Sequence, residues 1–244
     1  MIPSFAPNRK GRRALLALVA LASLTCGPVA CTPSLVETAI EARGGALDSY
    51  GKSVDAEVFF GIPGTWSWEV AYRAPESFRW SLETYGEEQH LVFDGTRMRH
   101  LLGGAALPPV EADDAVRSQA GWFAVTSLDV LEEPRARWRE LPRSELPDGV
   151  ARGLVAELAG APEPFRLYFD DRTLLVRASG RVAMAPIGAG ALEATFSQFR
   201  EVDGFLLPFS GTYELNGTLL MRESVREWRP NDPALEGPSA FRVQ

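Results

Sequence analysis

The feature that most limits what this chain can fold into is a strict alternation of apolar and polar side chains that sets in at Val54. Trp66, Trp68, Val70 and Tyr72 fall on one side of an extended segment, and Ser67, Glu69, Ala71 and Arg73 on the other. Successive side chains of extended backbone point in opposite directions, so a period of two predicts a strand with one face buried. Phe78, Trp80 and Leu82 repeat the pattern against Arg79, Ser81 and Glu83. Asp94-Gly95, Asp203-Gly204 and Asn216-Gly217 supply residues that tolerate the backbone of tight hairpin turns. Further strands are predicted at 151–159, 165–169, 174–179, 192–202, 205–215 and 218–228.

Two segments carry a helical period instead. Ser34 precedes Leu35, Ala39 and Ala42, and Glu37 stands three residues on, the spacing of a capping box; Gly44-Gly45 ends that helix. Val116, Ala120, Phe123 and Ser127 share one face of a second helix, for which Asp113-Asp114 suits the start. The fold class is therefore mainly β (α+β). We expect a curved antiparallel sheet, or incomplete β-barrel, of about 9–11 strands with a leading helix and an inserted helix. Residues 129–149, rich in Pro, Arg and Glu, read as an irregular excursion, and 230–244 as a tail with little pattern.

The first thirty residues stand apart from this fold. A basic cluster, Arg9-Lys10-Gly11-Arg12-Arg13, precedes the uncharged run Ala14–Leu24 and then Thr25-Cys26-Gly27-Pro28-Val29-Ala30-Cys31. A basic region, a short apolar region and small residues are the three zones of a secretory signal peptide. The apolar run is shorter than the ~20 residues a spanning helix needs. We assign 1–30 to a signal peptide and 31–244 to a single domain. Both cysteines of the chain lie at the end of the leader, so the domain has no disulfide, and one cysteine is a candidate for acylation. Cys31, after Val29-Ala30, fits better than the alternative, Cys26. This predicts an exported lipoprotein of a bacterial cell envelope, anchored to a membrane and facing the periplasm, or a soluble periplasmic protein if neither cysteine is acylated.

Charge and motifs narrow the function further. The full chain carries −7; removing the leader leaves 21 basic against 32 acidic residues, or −11. Such a domain repels polyanions, so nucleic acid is not an expected partner. His90 and His100 are the two histidines, and neither stands in a metal-ligand or catalytic motif. No catalytic residue, cofactor or metal site is assigned, and an enzyme is not expected. What the sequence offers instead is aromatic material on strand faces. A curved sheet of this length exposes more inner face than two helices cover, so Trp66, Trp68, Phe78, Trp80, Phe196 and Phe205 are the candidate lining of a cavity for a hydrophobic ligand such as an acyl chain. A fully packed sheet with an acidic partner-binding surface is the competing reading.

Several short segments together resemble the LolA/LolB-like superfamily of periplasmic lipoprotein carriers. They are Ala42-Arg43-Gly44-Gly45, the strand pair around Arg73-Ala74-Pro75-Glu76-Ser77-Phe78-Arg79, Phe93-Asp94-Gly95, Leu167-Tyr168-Phe169-Asp170 with Thr173-Leu174, and the strand–turn–strand Phe199–Pro208. The resemblance implies an incomplete antiparallel barrel whose helices lid a hydrophobic cavity, and the binding or transfer of lipidated cargo. An acylated chain would be closer to the family's anchored acceptor than to its soluble shuttle.

Overall fold

The computed structural model describes residues 34–241, apart from 60–62, 76, 85–86, 107–109, 112–113, 133–135, 159–160 and 185–187. The leader, Cys26 and Cys31 lie outside the described residues.

Helix α1, Leu35–Arg43, opens with the predicted capping box. Ser34 Oγ accepts from the Glu37 N–H at 3.1 Å, and Glu37 Oε2 accepts from the Ser34 N–H at 2.7 Å. Those bonds hold the Glu37 carboxyl below the usual carboxylate range. At the other end Gly44 takes a left-handed φ of 109°, its N–H donating to Glu41 O, while Gly45 N–H donates to Ile40 O.

Fourteen strands among the described residues form one sheet. They are β1 Ser49–Val58, β2 Gly64–Arg73, β3 Ser77–Thr84, β4 Glu87–Phe93, β5 Arg97–Leu102, β6 Ala105–Ala106 and β7 Val110–Glu111; then β8 Arg137–Glu140, β9 Arg152–Glu157, β10 Phe165–Phe169, β11 Leu175–Met184, β12 Gly188–Val202, β13 Phe205–Leu215 and β14 Thr218–Pro230. The order is β6-β5-β4-β3-β2-β1-β14-β13-β12-β11-β10-β9-β8, with β7 beside β5, and every pairing is antiparallel. Two meanders are thus joined at the centre by the first and last strands. The ends do not meet, so the sheet stays open.

The turns follow their chemistry. Asp203 and Gly204 have φ of 51° and 84°, and Asn216 and Gly217 of 52° and 74°, the two successive positive values of a type I′ hairpin. Asp94-Gly95 forms a wider turn in which Asp94 Oδ1 accepts from the N–H groups of Thr96 and Arg97.

The strand count exceeds the sequence expectation of 9–11. Two of the extra strands, β6 and β7, are two residues long, too short to show a period. The third corrects the reading of 129–149 as irregular: it contains edge strand β8 and the 3-10 turns Asp129–Glu132 and Arg143–Glu145. Three of the four β8 residues are charged, which masks the alternation that seats Trp138 against the core. The tail needs the same correction. Leu235 and Phe241 are buried with Ala71 and Val92 on the outer face of the sheet. Arg73 donates to the carbonyls of Leu235 and Gly237 at 3.2 and 3.0 Å, and Arg79 to that of Ala240 at 3.2 Å.

Helix α2, Asp114–Ser127, connects the two meanders in sequence and rests on β11 and β3. Its seat is fixed by Phe165: a β-carbon on Gly121 would lie 2.9 Å from that ring, and one on Gly180 2.3 Å. The ring therefore occupies space that two glycines leave open. No helix among the described residues is long and apolar enough to cross a membrane.

Candidate functional site

The inner face of the sheet and the two helices enclose a cavity in which the space open to the centre of a water molecule is about 120 Å³. One water needs ~10–15 Å³ of such space, and an apolar cavity of about 150 Å³ admits benzene.

Each wall follows from a local pattern. Gln119, Trp122, Phe123 and Thr126 of α2 line the cavity, and the spacing i, i+3, i+4, i+7 is what puts them on one helical face. From α1 come Ala39 and Arg43. Arg43 also ties the helices together, its guanidinium donating to Ser127 O at the end of α2 and to Gly45 O. On the sheet side, the period of two delivers Tyr50 and Lys52 from β1, Trp68 and Val70 from β2, and Trp80 from β3. Trp68 and Trp80 meet edge to face, 5.9 Å between centroids.

In β12 the alternation is broken on purpose of geometry. Gln198 has a φ of 56° and is skipped in the pairing with β13, which runs Ser197↔Ser210 and then Phe199↔Pro208. Phe209 is left out opposite it and the register is the same on both sides, so this is a local break in the pairing at a left-handed residue. Phe196 and Phe199, three apart on either side of that break, both line the cavity.

One part of the wall is polar. Lys52 Nζ pairs with Glu223 Oε1, both residues being buried. The Lys52 ammonium also lies over the Trp228 ring, 5.5 Å from its centre. Tyr213 hydrogen-bonds Glu223, and burial, reinforced by that carboxylate, pushes its hydroxyl well above the usual phenol range. Tyr50 is raised mainly by burial, with Glu223 adding to the effect and the Thr126 hydrogen bond and Arg43 opposing it. Gln119 is 4% exposed. Its Nε2, like Trp80 Nε1, is buried without a hydrogen-bond partner.

Of the six aromatic residues singled out from the sequence, Trp68, Trp80 and Phe196 are in the cavity wall. The other three lie elsewhere. Phe78 is fully buried between Phe93 and Phe123, with centroids at 5.7 and 5.1 Å. Trp66 packs against the core, partly buried. Phe205 stands at the β12–β13 turn, where its Cα would be 3.1 Å from a β-carbon on Gly44. Facing the inner side of a strand is not enough, because the cavity spans only part of that face.

Sequence reasoning missed Lys52, Gln119 and Glu223. A signal existed for Glu223, which alternates in phase with the buried Met221 and Val225 while Arg222, Ser224 and Arg226 point outward. Lys52 likewise stands in phase with Tyr50 and Val54. No group of three His, Cys, Asp or Glu side chains among the described residues could hold a metal ion.

An open antiparallel sheet wrapped around a helix-lidded cavity is the LolA-like fold. Solved structures with this architecture include a LolA-superfamily protein of Nitrosomonas europaea, 13% identical, with a TM-score of 0.57 over 85% of this chain and 96% of that one. Another is a domain from Vibrio parahaemolyticus described as an outer membrane lipoprotein-sorting protein, 9% identical, with a TM-score of 0.52 over 85% and 98%. A DUF1329-family protein of Desulfovibrio piger follows at 12% identity, with a TM-score of 0.50 over 85% and 98%. No protein-family model matches the chain, and neither does any curated protein. The likeness is one of fold.

Proposed function

We propose that this is an exported cell-envelope protein that binds or transfers a hydrophobic ligand, the acyl part of a lipid or lipidated protein, in the cavity beneath α2. The observation that carries the reading is the cavity itself, apolar over most of its wall and lined by Trp68, Trp80, Phe196 and Phe199. A fully packed sheet would serve the competing role of a structural or interaction lipoprotein, and open space among large aromatic side chains disfavours it, since interiors are ordinarily close-packed. The Vibrio neighbour's description as a lipoprotein-sorting domain points the same way.

Acylation at Cys31, with Cys26 the alternative, would hold the domain at a membrane through a tether as short as Thr32-Pro33. A tethered carrier suits receiving or holding a lipid at the membrane better than shuttling it. Native mass spectrometry of protein purified from membranes tests the ligand, and intact mass of the mature N-terminus tests the anchor. Co-purifying lipid and uptake of a fluorescent fatty acid are expected; failure of both would sink the carrier reading. A mature N-terminus other than a diacylated cysteine would remove the tether and leave a soluble carrier.

A further inference from the structure

Stability alone does not call for charge in this cavity wall. Lys52 on β1 and Glu223 on β14 pair across the centre of the sheet, yet a buried ion pair can often be replaced by apolar residues at no loss of stability. Both residues line the cavity, and neither side chain is sealed: 11% of Lys52 and 6% of Glu223 remains accessible. Lys52 alternates in phase with the buried Tyr50 and Val54, and Glu223 with the buried Met221 and Val225. The accessible surface therefore faces the cavity and not the outer side of the sheet.

The residues around the pair are arranged to hold it. Ala56 and Gly211, both small, stand opposite Glu223 on the two neighbouring strands. The Tyr213 ring occupies the place of the absent Gly211 side chain, 2.9 Å from where a β-carbon would be, and its hydroxyl donates to Glu223. Lys52 in turn meets Glu223 and the face of the Trp228 ring. A carboxylate has about four acceptor positions and an ammonium three donors, so these contacts leave capacity on both groups.

Three kinds of ligand group can be weighed against such a pair. Hydrocarbon would strip the remaining water from both charges and return no hydrogen bond. An ionised group would add a third charge where two already cancel, and that charge would be buried without a partner. A hydroxyl donates one O–H to the carboxylate, accepts from the ammonium, and adds no charge.

We propose that the polar group this cavity takes is an uncharged hydroxyl on an apolar chain, bridging the Lys52 ammonium and the Glu223 carboxylate. This rests on the lipid-binding reading and goes beyond it, since Lys52 and Glu223 then select the chemical class of the ligand.

Chain-matched probes test the selection: octanol, octane, octanoate and octylammonium, each titrated at neutral pH as a competitor of a fluorescent apolar naphthylamine dye on the full-length protein. Octanol is expected to bind more tightly than either ion. Its affinity relative to octane should fall about fivefold in the double variant Lys52→Met with Glu223→Leu, the worth of roughly one net hydrogen bond. In Glu223→Gln the Lys52 charge loses its partner, and octanoate should gain about tenfold on octanol, as a charge-assisted bond would give. Should the double variant fail to fold, Glu223→Gln carries the test by that ratio. An octanol-to-octane ratio unchanged in the double variant, an octanoate-to-octanol ratio unchanged in Glu223→Gln, or an ion that outcompetes octanol on the parent chain overturns the proposal. Binding of none of the four would instead overturn the carrier reading on which it rests.

Discussion

Lys52 and Glu223 form an ion pair in the wall of a mostly apolar cavity, although 171 residues separate them in the chain. The pair exists because β1 and β14 are neighbours at the centre of the sheet, with Ala56 opposite Glu223 and a bulge after Ser53 adjusting the register. Removing one partner strands a buried charge, which costs about 3–5 kcal/mol, whereas replacing both with apolar groups is often close to neutral. Lys52→Met and Glu223→Leu are each expected to lower the urea midpoint strongly, and the double variant to recover most of the loss. Additive losses in the double variant would show that the two residues act independently.

Gly44 is expected to tolerate no side chain. A β-carbon there would lie 2.1 Å from Gly204 O, and the left-handed φ of 109° disfavours any other residue. Gly180 is constrained by space alone, since a β-carbon would meet the Phe165 ring at 2.3 Å. Gly44→Ala should destabilise by about 1–3 kcal/mol or more through strain and a displaced turn, and Gly180→Ala by about 1–3 kcal/mol through overpacking. Pairing Gly180→Ala with Phe165→Leu should restore part of the loss. Thermal unfolding of these three variants checks both statements.

Alkali should unfold this protein with a steepness that depends on two tyrosines. Burial, aided by Glu223, holds the hydroxyls of Tyr50 and Tyr213 protonated in the native state above the ordinary phenol range. The unfolded chain loses those protons near pH ~10, so the native state binds more protons above that pH and stability falls as pH rises, by up to ~1.4 kcal/mol per unit for each tyrosine. Below about pH 10 the two groups are protonated in both states and contribute no slope. Urea midpoints measured at about pH 9 and about pH 11 should diverge less in Tyr213→Phe than in the parent chain. An unchanged divergence would assign the alkaline loss to other groups.

Aromatic residues in the wall should separate from aromatic residues in the core. Trp80→Ala enlarges the cavity, whereas Phe78→Ala opens a hole in packed interior between Phe93 and Phe123. Phe78→Ala is expected to cost about 3–5 kcal/mol, as deletions of buried aromatic rings do. Trp80→Ala should alter uptake of a fluorescent fatty acid at a smaller cost in stability, because its ring already borders open space. Equal destabilisation with unaltered uptake would place Trp80 in the core instead.

What was legible beforehand follows from how local each interaction is. The capping box of Ser34 and Glu37, the Gly44 cap, the Asp203-Gly204 and Asn216-Gly217 turns and the alternation of β2 and β3 each depend on residues within a few positions of one another, so the pattern is in the order of the amino acids. The tail escaped notice because its anchors, Arg73 and Arg79, lie about 160 residues away. The short edge strands escaped because two residues carry no period and because β8 is mostly charged.

By itself, then, the amino-acid order determined an antiparallel β fold with two helices and an aromatic inner face, since alternation and capping are properties of neighbours. Only the tertiary structure decided which of those aromatic residues border open space. That required the β1–β14 junction, the left-handed backbone at Gln198 between Phe196 and Phe199, and the seating of α2 on Phe165 between two glycines. Each brings together side chains from distant parts of the chain, and a cavity is the space such long-range packing leaves unfilled.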